Sequence, residues 1–126
     1  MHGPGRPLRP VLGYTGLSME ITPQEVKSKL DAGEKLHLID VREPQEHQQA
    51  AIAGAELIPM RTIPSALQAL EGKSDEAPLV VFCHHGVRSL QVVNWLREQG
   101  LESSPSMTGG IDRWSVEIDP SVPRYF

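Results

Sequence analysis

Leu79-Val80-Val81-Phe82 is apolar at every position, without the polar alternation of a strand that turns one face to water. A run of this kind is covered on both faces, the condition of a strand inside a parallel sheet flanked by helices. Three further segments fit the same sheet. Leu36 to Val41 is a short apolar run ending in charge, and Leu57-Ile58 is a brief one closed by Pro59. Ser104 to Thr108 is a weaker strand, because Pro105 cannot donate to a ladder.

The segments between these runs carry helical signals. Thr22 is a good N-cap, Pro23 suits the first helical position, and Glu25 completes a Thr-x-x-Glu capping box. Ile21 and Val26 stand where a hydrophobic staple would place them. Val26 and Leu30 share a face, and Gly33 can end the helix, so the spacing predicts a helix over 23–31. Helical stretches are also expected from Pro44 to about Gln49, from Pro64 to Leu70 and from Ser89 to Gln99, the last capped by Gly100. Ile111 to Val116 reads as a final helical turn, and Asp119 to Pro123 as an extended tail. Trp95 and Trp114 read as packing residues, His37 and His47 as ordinary core or partly exposed ones.

Strands alternating with helices define an α/β class with a parallel sheet between two helical layers. Ligands of such folds gather at the carboxyl ends of the strands. Both strong strands end in reactive side chains here: Asp40-Val41-Arg42 after one, Cys83-His84-His85-Gly86-Val87-Arg88 after the other.

The 126 residues suit one compact domain, expected over 18–126. The Gly- and Pro-rich stretch 1–17 reads as a flexible leader with no continuous apolar region of a signal peptide. A formal charge of -4 with scattered Lys and Arg argues against nucleic acid as a partner. No apolar run approaches the ~20 residues that cross a bilayer, so no membrane association is expected. One cysteine cannot form an internal disulfide, which points to a reduced, cytoplasmic setting.

Taken alone, a cysteine at the end of an apolar strand is most often a small buried side chain. Its neighbours change that reading. The loop must turn within a few residues, and Gly86 supplies backbone freedom for it. Successive N–H groups in such a turn, with the helix N-terminus behind them, form a concave site for an anion. A thiolate at its centre would be stabilised. Arg88 can add positive charge at the rim or brace the loop from beneath.

The segment Cys83-His-His-Gly-Val-Arg-Ser89 resembles the active-site loop of rhodanese domains, in which Cys and Arg enclose four residues. Leu38 to Pro44 looks like the upstream Asp-x-Arg-Glu motif of that family. Ala51-Ile-Ala-Gly54-Ala55 with Ile58-Pro59 looks like its His-Ile-x-Gly-Ala segment, with Ala51 where many members carry His. Gly109-Gly110-Ile111-Asp112-Arg113-Trp114 resembles its Gly-Gly-x-x-x-Trp signature. The Cys-His-His-Gly form and the tail Asp119 to Tyr125 are similar to single-domain rhodaneses and to rhodanese modules fused to sulfur-carrier-activating enzymes. The motifs run in register over residues 20 to 125. Ser-Pro-Ser-Met, the last strand, is less apolar than is usual in the family.

The resemblance implies a three-layer rhodanese-like fold with a central, mostly parallel five-stranded sheet. It implies a sulfurtransferase in which Cys83 takes sulfane sulfur from a donor such as thiosulfate or a persulfide and passes it to a thiol or protein acceptor. Cys83 and Arg88 are then the expected catalytic pair, with His84, His85, Gly86 and Val87 forming the loop. Arg42 would help bind the donor, and Asp40 would brace the loop. No metal or organic cofactor is implied; Cys83, His84 and His85 offer three potential ligands, but adjacent residues rarely point at one ion. Two other readings stand beside this one: a non-catalytic rhodanese-type binding module, and a cysteine-dependent phosphatase or arsenate reductase. The latter enzymes enclose five residues between Cys and Arg, a wider cradle suited to a tetrahedral oxyanion.

Overall fold

The computed structural model describes residues 19–126; the expected leader over 1–17 lies outside the described residues. Five strands form one sheet in the order β1-β5-β4-β2-β3, every pairing parallel. They are β1 (Glu20–Ile21), β2 (His37–Asp40), β3 (Glu56–Leu57), β4 (Leu79–Phe82) and β5 (Ser106–Met107). The helices are α1 (Pro23–Asp31), α2 (Pro44–Gln49), α3 (Leu67–Glu76), α4 (Val87–Glu98) and α5 (Gly110–Glu117), with two 3-10 turns, Met60–Thr62 and Pro64–Ala66, ahead of α3.

The apolar run Leu79–Phe82 is the middle strand. β4 pairs with β2 from His37↔Leu79 to Asp40↔Phe82 and touches β5 at Val81↔Ser106. Side chains alternate across a strand, and the two cores follow that period. Ile39, Val41, Leu79, Val81 and Cys83 pack with Leu70 of α3 and with Val92, Val93 and Leu96 of α4. Leu38, Val80, Phe82 and Met107 pack on the other face with Val26 of α1 and with Ile111 and Trp114 of α5. This is the three-layer α/β architecture, and it sets Cys83 on the α3–α4 side of the sheet.

α1 has the expected bounds and its capping box: the Thr22 hydroxyl accepts from Glu25 N at 3.1 Å, and the Glu25 carboxylate accepts from Thr22 N at 2.8 Å. Three segments differ from expectation. β1 was not anticipated, because its two residues are held by backbone bonds to β5 that no side-chain pattern announces: Ser106 N to Met19 O at 2.7 Å and Thr108 N to Ile21 O at 2.9 Å. The helix expected from Pro64 starts instead at Leu67, after a 3-10 turn, and runs on to Glu76. Only Leu70 in it is fully buried, so its polar second half carries little apolar periodicity. α4 begins at Val87, two residues before the expected Ser89.

Candidate active site

Cys83 leaves β4 at the carboxyl edge of the sheet, and α4 begins four residues later. Gly86 makes that turn with φ 108°, a left-handed conformation that disfavours any side chain. The turn brings two backbone donors onto the sulfur: Gly86 N lies 3.1 Å and Ser89 N 3.3 Å from Cys83 Sγ. Both belong to the N-terminus of α4, whose dipole favours negative charge there. Cys83 itself is 1% exposed.

A second helix orients the loop from behind. Ile111 N donates to Cys83 O at 2.9 Å and Asp112 N to His84 O at 3.1 Å, so the first turn of α5 draws the loop carbonyls away from the sulfur. A side chain at Gly110 would overlap the carbonyl oxygens of Cys83 and His84. The paired glycines that looked like a signature therefore permit a close approach of α5 to the reactive loop.

Two buried serines complete the wall. Sγ donates to Ser89 Oγ at 3.5 Å, and Ser89 Oγ lies 2.7 Å from Ser106 Oγ and donates to Gly86 O at 3.2 Å. A hydroxyl rotor reorients to suit its partners, so Ser89 can accept from a thiol or donate to a thiolate.

Arg88 points to Glu46 on α2. Its Nη1 and Nη2 donate to Oε1 and Oε2 at 2.8 and 2.9 Å. Glu46 also accepts from Glu43 N at 3.0 Å and from the Tyr125 hydroxyl at 2.8 Å. Arg88, followed by the Glu43 amide and Tyr125, overcomes the cost of burial and lowers the Glu46 carboxyl to about 2. The same contact raises Arg88 above its usual value, and burial pushes the Tyr125 phenol up to about 12.

Arg42 stands elsewhere than the donor-binding position expected for it. It is 0% exposed and lies on Asp40 through Nε–Oδ1 at 2.9 Å and Nη2–Oδ2 at 2.7 Å. Its remaining donors reach Ala50 O at 2.7 Å and the Tyr125 hydroxyl at 2.9 Å. Burial opposes its charge, and Asp40 with Tyr125 outweighs that, so its value rises. Asp40 likewise braces Arg42, and His47 at 3.0 Å, rather than the loop. The buried pair ties the end of β2 to the C-cap of α2 at Ala50 and to Tyr125.

His84 lies between two rings, stacked on His85 at 3.8 Å and on Tyr125 at 3.9 Å between centroids. Burial, then the charge of His85, lowers its value, so it is neutral at pH 7. His85 is exposed and stands 3.8 Å from Asp112, which Arg124 holds at 2.9 and 3.0 Å. His84, His85 and Asp112 thus offer donor atoms within 4.8 Å of one another, a grouping that needed α5 and that adjacency in sequence does not reveal. The Asp112 carboxylate in it is already engaged by Arg124. Val87 is 69% exposed at the start of α4 and borders a cavity of about 590 Å³, lined also by Met19, Glu20, His85, Leu90 and Gln91.

The structure therefore brings Cys83, Gly86 and Arg88 together as expected and adds Glu46, Ser89, Ser106 and Tyr125. A hint of Tyr125 lay in the tail motif and one of Ser89 in its adjacency to Arg88. Glu46 had its own faint mark, three residues after Glu43 at the start of α2.

A cysteine whose sulfur accepts from helix-terminal amides at the edge of a parallel α/β sheet has the arrangement that thiol-based chemistry draws on. Comparison gives the family. Residues 22–117 match the model of the rhodanese-like domain, and the chain belongs to that family. It is 37% identical over 110 residues to the rhodanese-like/PpiC domain-containing protein 12 of Arabidopsis thaliana, covering 84% of this chain and 37% of the relative. The chain thus spans little more than a third of that relative and 26% of the probable adenylyltransferase/sulfurtransferase MoeZ of Mycobacterium tuberculosis. The putative sulfurtransferase YtwF of Bacillus subtilis is 36% identical over 101 residues, covering 80% of this chain and 94% of the relative. The human single-domain sulfurtransferase TSTD1 superposes with a TM-score of 0.68 at 30% identity, over 79% of this chain and 97% of its own. Among the described residues no helix is long and apolar enough to cross a membrane.

Proposed function

We propose that this chain is a sulfurtransferase that carries sulfane sulfur on Cys83, from a donor such as thiosulfate to a thiophilic acceptor, in a reducing cytoplasm. The observation that supports it most is the cradle at the sulfur: amides at 3.1 and 3.3 Å and the Ser89 hydroxyl at 3.5 Å. In the first step the Cys83 thiolate attacks the outer sulfur of thiosulfate. The Sγ–S bond forms, the S–S bond of the donor breaks, and sulfite leaves with the electron pair. An acceptor thiol or protein then attacks the outer sulfur of the Cys83 persulfide and regenerates the thiolate. Splitting one transfer into two is the usual gain from covalent catalysis.

The roles follow from position. Cys83 is the nucleophile, and the amides of the turn, with the N-terminus of α4, hold the charge of thiolate and persulfide. Gly86 permits the turn, Ser89 follows the proton state of the sulfur, and Arg88 fixes the loop to α2 through Glu46. His84, His85 and Val87 form the outer rim that an acceptor meets. Thiosulfate-to-cyanide transfer by the wild type and by Cys83→Ser tests the reading. Transfer by the wild type alone supports it, and a wild type that neither transfers sulfur nor holds it leaves the binding-module reading in place. Hydrolysis of an aryl phosphate, or reduction of arsenate, would favour the phosphatase or reductase reading instead.

A further inference from the structure

Adjacent side chains usually diverge, the reason the sequence offers no ion site at His84-His85. The loop ahead of Gly86 departs from that rule. Its two imidazoles stack face to face, 3.8 Å between centroids and 28° between planes. Asp112 reaches the same place from the first turn of α5, where its own N–H donates to His84 O at 3.1 Å. Two imidazole nitrogens and a carboxylate oxygen thereby come within 4.8 Å of one another. Among them, His85 Nε2 lies 3.8 Å from Asp112 Oδ2. A second observation concerns His84 alone. Its Nε2 is buried and has no hydrogen-bond partner among the described residues. The Tyr125 backbone accepts from the ring, which puts the proton on Nδ1 and leaves Nε2 a lone pair. A histidine whose other N–H is held by a backbone carbonyl is oriented as metal-binding histidines are.

We infer that His84, His85 and Asp112 form a binding site for Zn²⁺ at the rim of the loop, one that does not use the Cys83 thiol. Two imidazoles and one carboxylate, with a further position left to water, are a donor set that zinc takes. Zinc bonds to nitrogen and oxygen are about 2.0–2.2 Å long, so two ligands of one ion stand no more than ~4.3 Å apart. The present 4.8 Å must therefore close by about half an ångström. An imidazole binds in its ring plane, so the ion cannot lie between the stacked faces. It sits at the ring edges beside Asp112, and His85, with a side chain 57% exposed, turns off the stack to meet it. His84 stays against Tyr125, 3.9 Å from ring to ring. Arg124 is the competitor, holding the two Asp112 oxygens at 2.9 and 3.0 Å. A carboxylate has about four lone-pair sites, so Oδ2 can take the ion beside Arg124, at an affinity lowered by the like charge.

The test titrates Zn²⁺ alone into the full chain by calorimetry, in a Cys83→Ser background so that the thiol cannot take the ion. This protein is expected to bind one Zn²⁺. Adding His85→Ala should weaken binding by roughly tenfold or more. Adding Arg124→Gln should tighten it by about threefold, since Asp112 loses its competing cation. That opposite sign is what scattered surface histidines would not produce. Proton NMR of the imidazoles supplies a reading that needs no ligand variant to fold. Zn²⁺ should move the ring resonances of His84 and His85 and leave those of His37 and His47 in place. A Cys83→Ser protein that binds no Zn²⁺, a His85→Ala variant of full affinity, or an Arg124→Gln variant that binds no tighter overturns the site. Ring shifts confined to the other histidines overturn it equally.

Discussion

Both oxygens of Glu46 accept from Arg88, at 2.8 and 2.9 Å, so the loop that carries Cys83 is fastened to α2 by a two-pronged ion pair. Glu46 falls from an ordinary 4.5 to about 2 in the fold. A carboxyl lowered on folding contributes stability above its unfolded value, and that stability is lost as pH falls through the folded one. With Arg88 about a third exposed, the contribution is on the order of 2 kcal/mol. Thermal unfolding followed from pH 7 downward is expected to show the wild type losing stability between ~5 and ~2 more steeply than Glu46→Gln. Parallel curves would contradict the pair's role.

Gly110 stands where any side chain would overlap the carbonyls of Cys83 and His84, and its φ is 62°. Gly110→Ala therefore strains the backbone and pushes α5 off the loop together. Urea unfolding is expected to show a loss of ~3 kcal/mol or more, accompanied by loss of sulfur transfer. A variant of wild-type stability would show that α5 does not set the loop.

The Ser89–Ser106 contact at 2.7 Å predicts non-additive behaviour. Ser89→Ala strands the buried Ser106 hydroxyl at a cost of ~1–2 kcal/mol. Adding Ser106→Ala should recover part of that loss, because no buried hydroxyl is then left unpaired. Sulfur loading in both variants should slow by roughly tenfold, since a donor to the thiolate is gone. The double-mutant cycle and the loading rate separate packing from chemistry.

Tyr125 does two things, stacking on His84 and joining Arg42 to Glu46 through its hydroxyl. Tyr125→Phe keeps the first and removes the second, an expected loss of ~1–2 kcal/mol. Tyr125→Ala removes both and should cost ~3 kcal/mol or more. Equal losses in urea unfolding would mean that the stack contributes nothing.

The parts of the molecule legible in its sequence are those written in local pattern. Leu79 to Phe82 reads as a buried strand because all four side chains are apolar, and α1 because Thr22, Pro23 and Glu25 are local signals. The reactive loop is legible for the same reason, since Cys83, Gly86 and Arg88 lie within six residues. What escaped depends on contacts across the chain. Glu46 meets Arg88 from 42 positions away and Tyr125 from 79, and nothing near either residue reports the meeting. Arg42 looked like a donor-binding cation because it follows a strand end on the same side as the Cys83 loop. Only the fold shows Asp40, Ala50 and Tyr125 closing around it. β1 is invisible for a related reason, as two residues of backbone pairing leave no side-chain period.

Intact-mass and peptide mass spectrometry of the protein after exposure to a sulfane donor tests the account at its centre. The wild type should gain one sulfur atom, mapped to Cys83 and removed by a thiol or by cyanide, and Cys83→Ser should gain none. An unmodified wild type, or an adduct that persists in Cys83→Ser, would contradict the assignment of Cys83 as the sulfur carrier.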